Sequence, residues 1–320
     1  MPLSWVLFLA LIVALLVLDL FVLHRRAHVI RLREAALLSV GWVTLGLSFS
    51  GLVYAAYAYN WFGVVPGQAA PSDAAIQYLT GYLLEKSLSV DNIFVIAMLF
   101  TSLKVPPQYR HRILYWGILG AIILRGIMIL GGSWLITRFD WLFYLFGLYL
   151  AYTGIKLLKP EAGEVDADSS ALLRLARRIL PIAKEEHGGS FLSREGGRIV
   201  VTQLGLALLA IEATDVIFAL DSIPAVFSVT TDPFIVFTSN IFAILGLRSL
   251  YFILVSMLDR FRHLKVALAF ILVFIGAKML LHDAVDIGNL VSLGVIAGAL
   301  MVGILSSILV PPPPHVGEGQ

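Results

Sequence analysis

About nine apolar stretches recur along this chain, each close to the roughly 20 residues that cross the hydrocarbon core of a bilayer. Lipid offers the backbone no hydrogen-bond partners, so a spanning stretch with no repeated β alternation folds as a helix that satisfies itself. Composition agrees: 59% of the 320 residues are hydrophobic and 14% are charged, where soluble domains carry about 25% charged residues. The fold class expected is an all-α polytopic membrane protein with about nine transmembrane helices. There is no cysteine, which removes disulfides and thiolate ligands and leaves oxygen and imidazole donors for any metal.

The spans are predicted at 4–23, 36–59, 75–102, 112–136, 141–157, 198–228, 234–258, 264–282 and 287–309. They form an N-terminal half, 1–157, and a C-terminal half, 198–310, joined by a polar segment, 158–197, with a Pro-rich tail, 311–320, expected to be disordered. Within the polar segment Leu172, Leu175 and Ile179 share a helical face, so it reads either as a helix lying on the membrane surface or as a linker. No basic residue precedes the first span and HRRAHVIRLRE follows it, the reverse of a secretory signal. Of the 23 Lys and Arg residues, 18 fall in loops on one side, Arg138 alone lies on the other, and Lys86, Arg125, Arg248 and Lys278 lie within spans. That bias places the basic side in the cytoplasm, the N-terminus outside and the C-terminus inside.

Charge within the spans is the anomaly. Ile211–Phe227 reads IEATDVIFALDSIPAVF and holds Glu212, Asp215 and Asp221 ahead of Pro224. An ionised side chain at the bilayer centre costs on the order of 3 kcal/mol or more, so each acid is a functional candidate. The third span carries a similar pattern. Glu85 stands six residues before Asp91-Asn92-Ile93, as Asp215 stands six before Asp221-Ser222-Ile223, and a lone arginine follows in the next span, Arg125 and Arg248 respectively. The two copies lie an odd number of crossings apart and therefore run in opposite directions, the inverted-repeat arrangement that places sites at the midplane. On an unbroken helix, side chains six apart diverge by about 120°. Convergence of the acids therefore calls for interrupted acidic helices, with Pro224 freeing the Leu220 carbonyl and Ser87, Ser89 and Asn92 loosening the helix around Asp91.

The candidate donors are Glu85, Asp91, Asn92, Glu212, Asp215, Asp221, Ser222 and Asn240, hard oxygen groups that suit magnesium, calcium or manganese. Lys86, Arg125 and Arg248 read either as charge partners that pack the helices or as gates. In the gating reading each arginine pairs with the acids of one repeat and closes one side of an alternating-access path. Asp19 and His24, with His28 nearby, read either as a cytoplasmic mouth for the cation or as interfacial anchors, and Lys278 as a snorkelling side chain. Glu212 is open between metal ligand, proton carrier and support for the break. An intramembrane aspartyl protease needs Tyr-Asp and Gly-x-Gly-Asp pairs; neither occurs, and no enzymatic activity is expected.

The stretches EKSLSVDNIFVIAMLF from Glu85 to Phe100 and Ile211 to Phe252, with the early HRRAH, resemble the TerC family of integral membrane proteins, over nearly the whole chain. That family is named for tellurium resistance and related to the lysine-exporter superfamily. The resemblance implies manganese(II) export across the bacterial inner membrane. Its ligands here would be Glu85, Asp91, Asn92, Glu212, Asp215, Asp221 and Asn240. Manganese(II) is then cargo, no prosthetic group is expected, the bilayer and protons are the other partners, and no nucleic acid is involved. Family members are also linked to tellurite resistance and to metal loading or assembly of exported proteins, so a scaffold without transport is the alternative.

Overall fold

The computed structural model describes residues 3–19, 32–61, 69–158, 181–183, 189–195, 197–255, 262–285 and 287–309. The helices are α1 (Leu3–Leu18), α2 (Leu32–Ala58), α3 (Pro71–Ser102), α4 (Pro107–Arg138) and α5 (Trp141–Leu157), followed by strands β1 (Leu192–Glu195) and β2 (Arg198–Val201). Then come α6 (Gln203–Phe227), α7 (Pro233–Ile244), α8 (Leu247–Val255), α9 (Arg262–Leu280) and α10 (Asn289–Leu309). Proline opens α3, α4 and α7, where its missing N–H forfeits nothing. Asp232 caps α7 by accepting from the Phe234 amide at 2.9 Å, and Thr202 caps α6 by accepting from the Gly205 amide at 3.2 Å.

Among the described residues, α2, α4, α9 and α10 are long and apolar enough to cross a membrane, and α7 with α8 makes a bent fifth candidate. Helices α3 and α6, of 32 and 25 residues, are also long, but they carry the acids. Helices α1 and α5 are shorter, at 16 and 17 residues. The predicted spans and these helices coincide within a few residues, the fifth span at both ends.

The structure departs from the sequence reading at three places. First, Arg198–Val201 does not begin the sixth span. It pairs antiparallel with β1, from Leu192↔Val201 to Glu195↔Arg198, around Gly197 at φ +77. The β-branched run Ile199-Val200-Val201 favours a strand, and the cap at Thr202 delays the helix to Gln203. Second, neither acidic helix is interrupted: α3 runs unbroken past Asp91, where the Ser87 hydroxyl donates back to the Leu84 carbonyl at 2.7 Å, and α6 runs unbroken past Pro224. Proline so near a helix end forfeits one hydrogen bond, and the Ser228 amide still donates to the Pro224 carbonyl at 3.1 Å. Third, the interrupted helix is an arginine-bearing one: the predicted seventh span is split into α7 and α8, bent by 44°. Gly246 makes the turn at φ +79, and a Cβ there would come within 2.6 Å of Trp42. Both facts call for glycine. The surface-helix reading of the polar segment, His24, His28 and the tail fall outside the described residues.

Helix α3 occupies the middle, touching α2, α6, α7, α8 and α10, while α4 lies along α6 and α7. Phe8, Phe49, Tyr78 and Phe242 interleave α1, α2, α3 and α7, with the Phe49 and Phe242 rings 4.4 Å apart. Helices α5 and α9 meet backbone to backbone, Gly147 and Ala151 against Gly276 and Gly154 against Ala269; a Cβ on Gly276 would lie 2.6 Å from the Gly147 carbonyl oxygen. Gly276→Val should therefore destabilise the fold by about 1–3 kcal/mol. Gly294→Val on α10, where nothing lies within 4 Å, should leave packing unchanged, and thermal unfolding of the two detergent-solubilised variants compares them.

Candidate functional site

Arg125 of α4 is wholly buried, and its guanidinium is the meeting point of four helices. Nε donates to Asp215 Oδ2 at 3.0 Å and Nη2 to Asp215 Oδ1 at 2.7 Å, a two-point grip on α6. Nη1 donates to Glu85 Oε1 of α3 and to Asn240 Oδ1 of α7 at 3.2 Å. Asn240 Nδ2 in turn donates to the second Glu85 oxygen at 2.9 Å. Two carboxylates surround one guanidinium, so the cluster carries a formal excess of one negative charge. Glu85 is fully enclosed, whereas the Asp215 side chain is 17% exposed. That exposed edge borders a cleft.

The cleft is narrow and leads from Arg125 and Asp215 past Ser89 and Asn92 of α3 and Ala121 and Gly117 of α4. It runs toward the end that carries the α3–α4 loop and the β-hairpin. Its wall exists because small residues on α4 let α6 approach: a Cβ on Gly117 would sit 3.3 Å from Ile211. A Cβ on Gly120 would collide with the Glu212 carboxylate. Glu212 therefore lies flat across Gly120, with Oε2 buried and lacking a hydrogen-bond partner among the described residues.

Lys86, next to Glu85, reaches the break in the arginine helix. Its Nζ donates to the Ala243 carbonyl at 3.0 Å and the Leu245 carbonyl at 3.4 Å. Carbonyls at a helix C-terminus lack intrahelical donors and carry the negative end of the helix dipole, so an ammonium group fits there. Consecutive residues of α3 thus hold α7 at two points, Glu85 through Asn240 and Lys86 through the last turn.

Arg248 does something different. Its Nη2 donates to Asp19 Oδ2 at 2.6 Å, and the pair lines a second small cavity with Trp42, Tyr115 and Gly246. Ile118 lines both cavities. The expectation that each arginine pairs with the acids of one repeat does not hold. Arg125 takes one acid from each of the two similar segments, because α4 runs between α3 and α6, and Arg248 binds Asp19 at the end of α1.

The other candidates are spread out. Asn92 is buried on the cleft wall and Ser222 is buried elsewhere on α6. Asp221 stands beside Tyr149 of α5, which hydrogen-bonds to it. The Asp91 side chain and His24 lie outside the described residues. Among those described, no three His, Asp or Glu side chains gather as a ready metal cage. The site as seen holds a guanidinium between its acids. Lys278 does not snorkel freely: its Nζ donates to Ser292 Oγ of α10 at 2.9 Å.

Sequence reasoning missed the latch in which Tyr57 donates to Asp232 Oδ2 at 2.6 Å, joining α2 to the start of α7. Its signal was present in Thr231-Asp232-Pro233, an N-cap followed by a first-turn proline. On the loop after α9, Asp283 accepts from Tyr144 and lies 3.2 Å from His282 Nδ1, contacts that hold its carboxyl below the ordinary carboxylate range.

Fold and site together define a polytopic helical membrane protein built around a buried arginine clasped by acids from two similar helices. The chain belongs to the integral membrane protein TerC family, whose sequence model matches residues 70–312. That range includes Glu85, Arg125, Asp215 and Asn240 but not Asp19. The chain is 49% identical over 309 residues to "Uncharacterized membrane protein STKORF319" of Myxococcus xanthus, covering 96% of this chain and 92% of that protein. It is 46% identical over 303 residues to "Putative membrane-bound redox modulator Alx" of Escherichia coli K12, covering 94% and 92%. A membrane protein of Rickettsia bellii is 39% identical over 306 residues, 96% and 97% of the two chains. No solved structure matches.

Removing one partner of a buried ion pair strands the other. Arg125→Ala, which leaves Glu85 and Asp215 without their cation, should cost about 3–5 kcal/mol. Glu85→Gln should cost less, since Asp215 still balances the guanidinium. Melting of the purified variants in detergent measures both.

Proposed function

We propose that this chain exports hard divalent cations, with manganese(II) as the cargo, by alternating access across the bacterial inner membrane. The observation that carries the reading is the convergence of Glu85, Asp215 and Asn240, from three helices, on one cationic group at the end of a cleft. These are hard oxygen donors with a surplus of negative charge, the set that takes manganese(II), magnesium or calcium. Glu85 and Asp215 hold equivalent places in the two similar segments, which fits two inverted copies meeting at the midplane. In this reading the described helices, with α7 and α8 counted as one, cross the membrane nine times, with the N-terminus outside and the C-terminus inside by the placement of Lys and Arg.

In this reading the cleft faces the cytoplasm, because the α3–α4 loop and the hairpin carry basic residues. The opposite side is closed where Phe227 packs on Gly132 and Tyr57 latches Asp232. Arg125 stands in for the cargo. When a cation reaches the Asp215 edge, the carboxylates turn from the guanidinium to the metal, and Arg125 neutralises them again once the cargo has left outward. The empty carrier then returns without bare negative charge in the membrane, which would be costly. Asn92 extends the path on the cleft side. Glu212, with one oxygen lacking a hydrogen-bond partner among the described residues, is the group proposed to carry a proton inward.

The redox role in the name of the Escherichia coli relative is compatible with this reading. The 320 residues hold no cysteine, so thiol exchange is not their chemistry, whereas moving a redox-active metal changes the redox state of a compartment. An assembly or scaffold role predicts an intact fold with no flux.

Proteoliposomes loaded with a manganese-sensitive dye and a pH dye separate these readings. Wild type should move manganese(II) in preference to zinc(II), with protons moving the other way, and Asp215→Asn and Asp91→Asn should abolish flux while remaining folded. A folded wild type that moves no divalent cation would sink the transport reading and leave the scaffold.

A further inference from the structure

The β1–β2 hairpin ends one residue before α6 enters the membrane, and its root is fastened to α4. Arg112 Nη1 donates to the Gly189 carbonyl at 2.6 Å, and its guanidinium lies 5.1 Å over the Phe191 ring. Phe191 meets Trp116 edge-on at 6.5 Å, and Thr202 Oγ1 donates to the Ser190 carbonyl at 2.6 Å. Trp116 is an exposed side chain on a spanning helix, and tryptophan in such a place concentrates at the headgroup level. A hairpin tied at that level on both sides lies against the bilayer surface rather than out in water.

Its two faces differ. Cross-strand pairs point to the same side of an antiparallel ribbon, so Leu192, Arg194 and Ile199 share one face by the pairings Leu192↔Val201 and Arg194↔Ile199. On the other face Val200 is buried against the protein. Leu192 and Ile199 are each 59% exposed and Arg194 is exposed beside them, with Val201 buried at the root of the same face, whereas Arg198 lies with Val200 on the other. Two open aliphatic side chains next to an arginine, at the height of the headgroups, make an amphipathic surface of the kind that lies in a membrane interface.

We propose that this face binds the anionic headgroups of the adjacent leaflet, with Leu192 and Ile199 dipping into the acyl boundary and Arg194 meeting lipid phosphates. The contact fixes the height at which α6, and with it Asp215, enters the bilayer. It is independent of the transport reading, since it uses none of the residues in the cleft.

The chain has no cysteine, so Leu192→Cys and Ile199→Cys each give a single labelling position for an environment-sensitive fluorophore. The full chain carrying either label is reconstituted in vesicles of phosphatidylcholine alone and of phosphatidylcholine with phosphatidylglycerol. In the mixed vesicles the label should emit to the blue and be quenched by lipids bearing a spin label near the headgroup. Both effects should weaken in phosphatidylcholine alone and on adding Arg194→Glu. Three results would each overturn the proposal. They are water-like emission in both lipids, blue emission without lipid quenching (which would mean another part of the chain covers the hairpin), and quenching indifferent to lipid charge and to Arg194→Glu.

Discussion

A guanidinium held out of water inside a membrane protein dictates who its neighbours are. The effective penalty of burying such an ion is several kcal/mol even after relaxation, and only close, hydrogen-bonded countercharge offsets it. Arg125 meets that condition with Asp215 on two nitrogens and Glu85 on a third, and Asn240 ties Glu85 to α7. Helices α3, α4, α6 and α7 therefore meet at one point. The small residues Gly117 and Gly120 on α4 are the packing consequence, since α6 reaches Arg125 only by lying close along that face.

The same cluster explains why the break lies in the helix made of α7 and α8. Asn240 fixes α7 to Glu85, and Lys86 closes its last carbonyls, so the chain leaves the α7 axis at Leu245 with its end satisfied. Gly246 then redirects it by 44° into α8, where Arg248 is tied to Asp19 of α1. Two ion pairs thus stand on either side of Ile118, one central and one near the end of α1, with the bend between them. Each half-helix is held by its own set of polar contacts, α7 by Asn240 and Lys86 and α8 by Arg248.

How much of this was legible in the sequence follows the range over which each interaction acts. Helices were legible because lipid solvation is a local property of about 20 consecutive residues. Members of the buried cluster were legible as anomalies: Glu85, Asp215, Arg125 and Asn240 are polar groups where polar groups are expensive. Their pairing was not, since Arg125 stands 40 positions from Glu85 and 90 from Asp215, and nothing local selects a partner at that distance. The site of the break was misjudged for a physical reason. Pro224 is conspicuous but lies in the last turn of α6, where it forfeits one bond. Gly246 is inconspicuous among 27 glycines, and its need for a positive φ appears only once Trp42 stands against it. The hairpin was lost because Ile199, Val200 and Val201 are as apolar as the helix they precede.

If Arg125 occupies the place of the cargo, metal and guanidinium compete for the same carboxylates. Titration of the detergent-solubilised protein with manganese(II), followed by loss of the free-ion EPR signal, measures that competition. Arg125→Met should bind manganese(II) more tightly than wild type, and adding Glu85→Gln should weaken it again. Binding by Arg125→Met that is equal to or weaker than wild type would contradict the role given to Arg125.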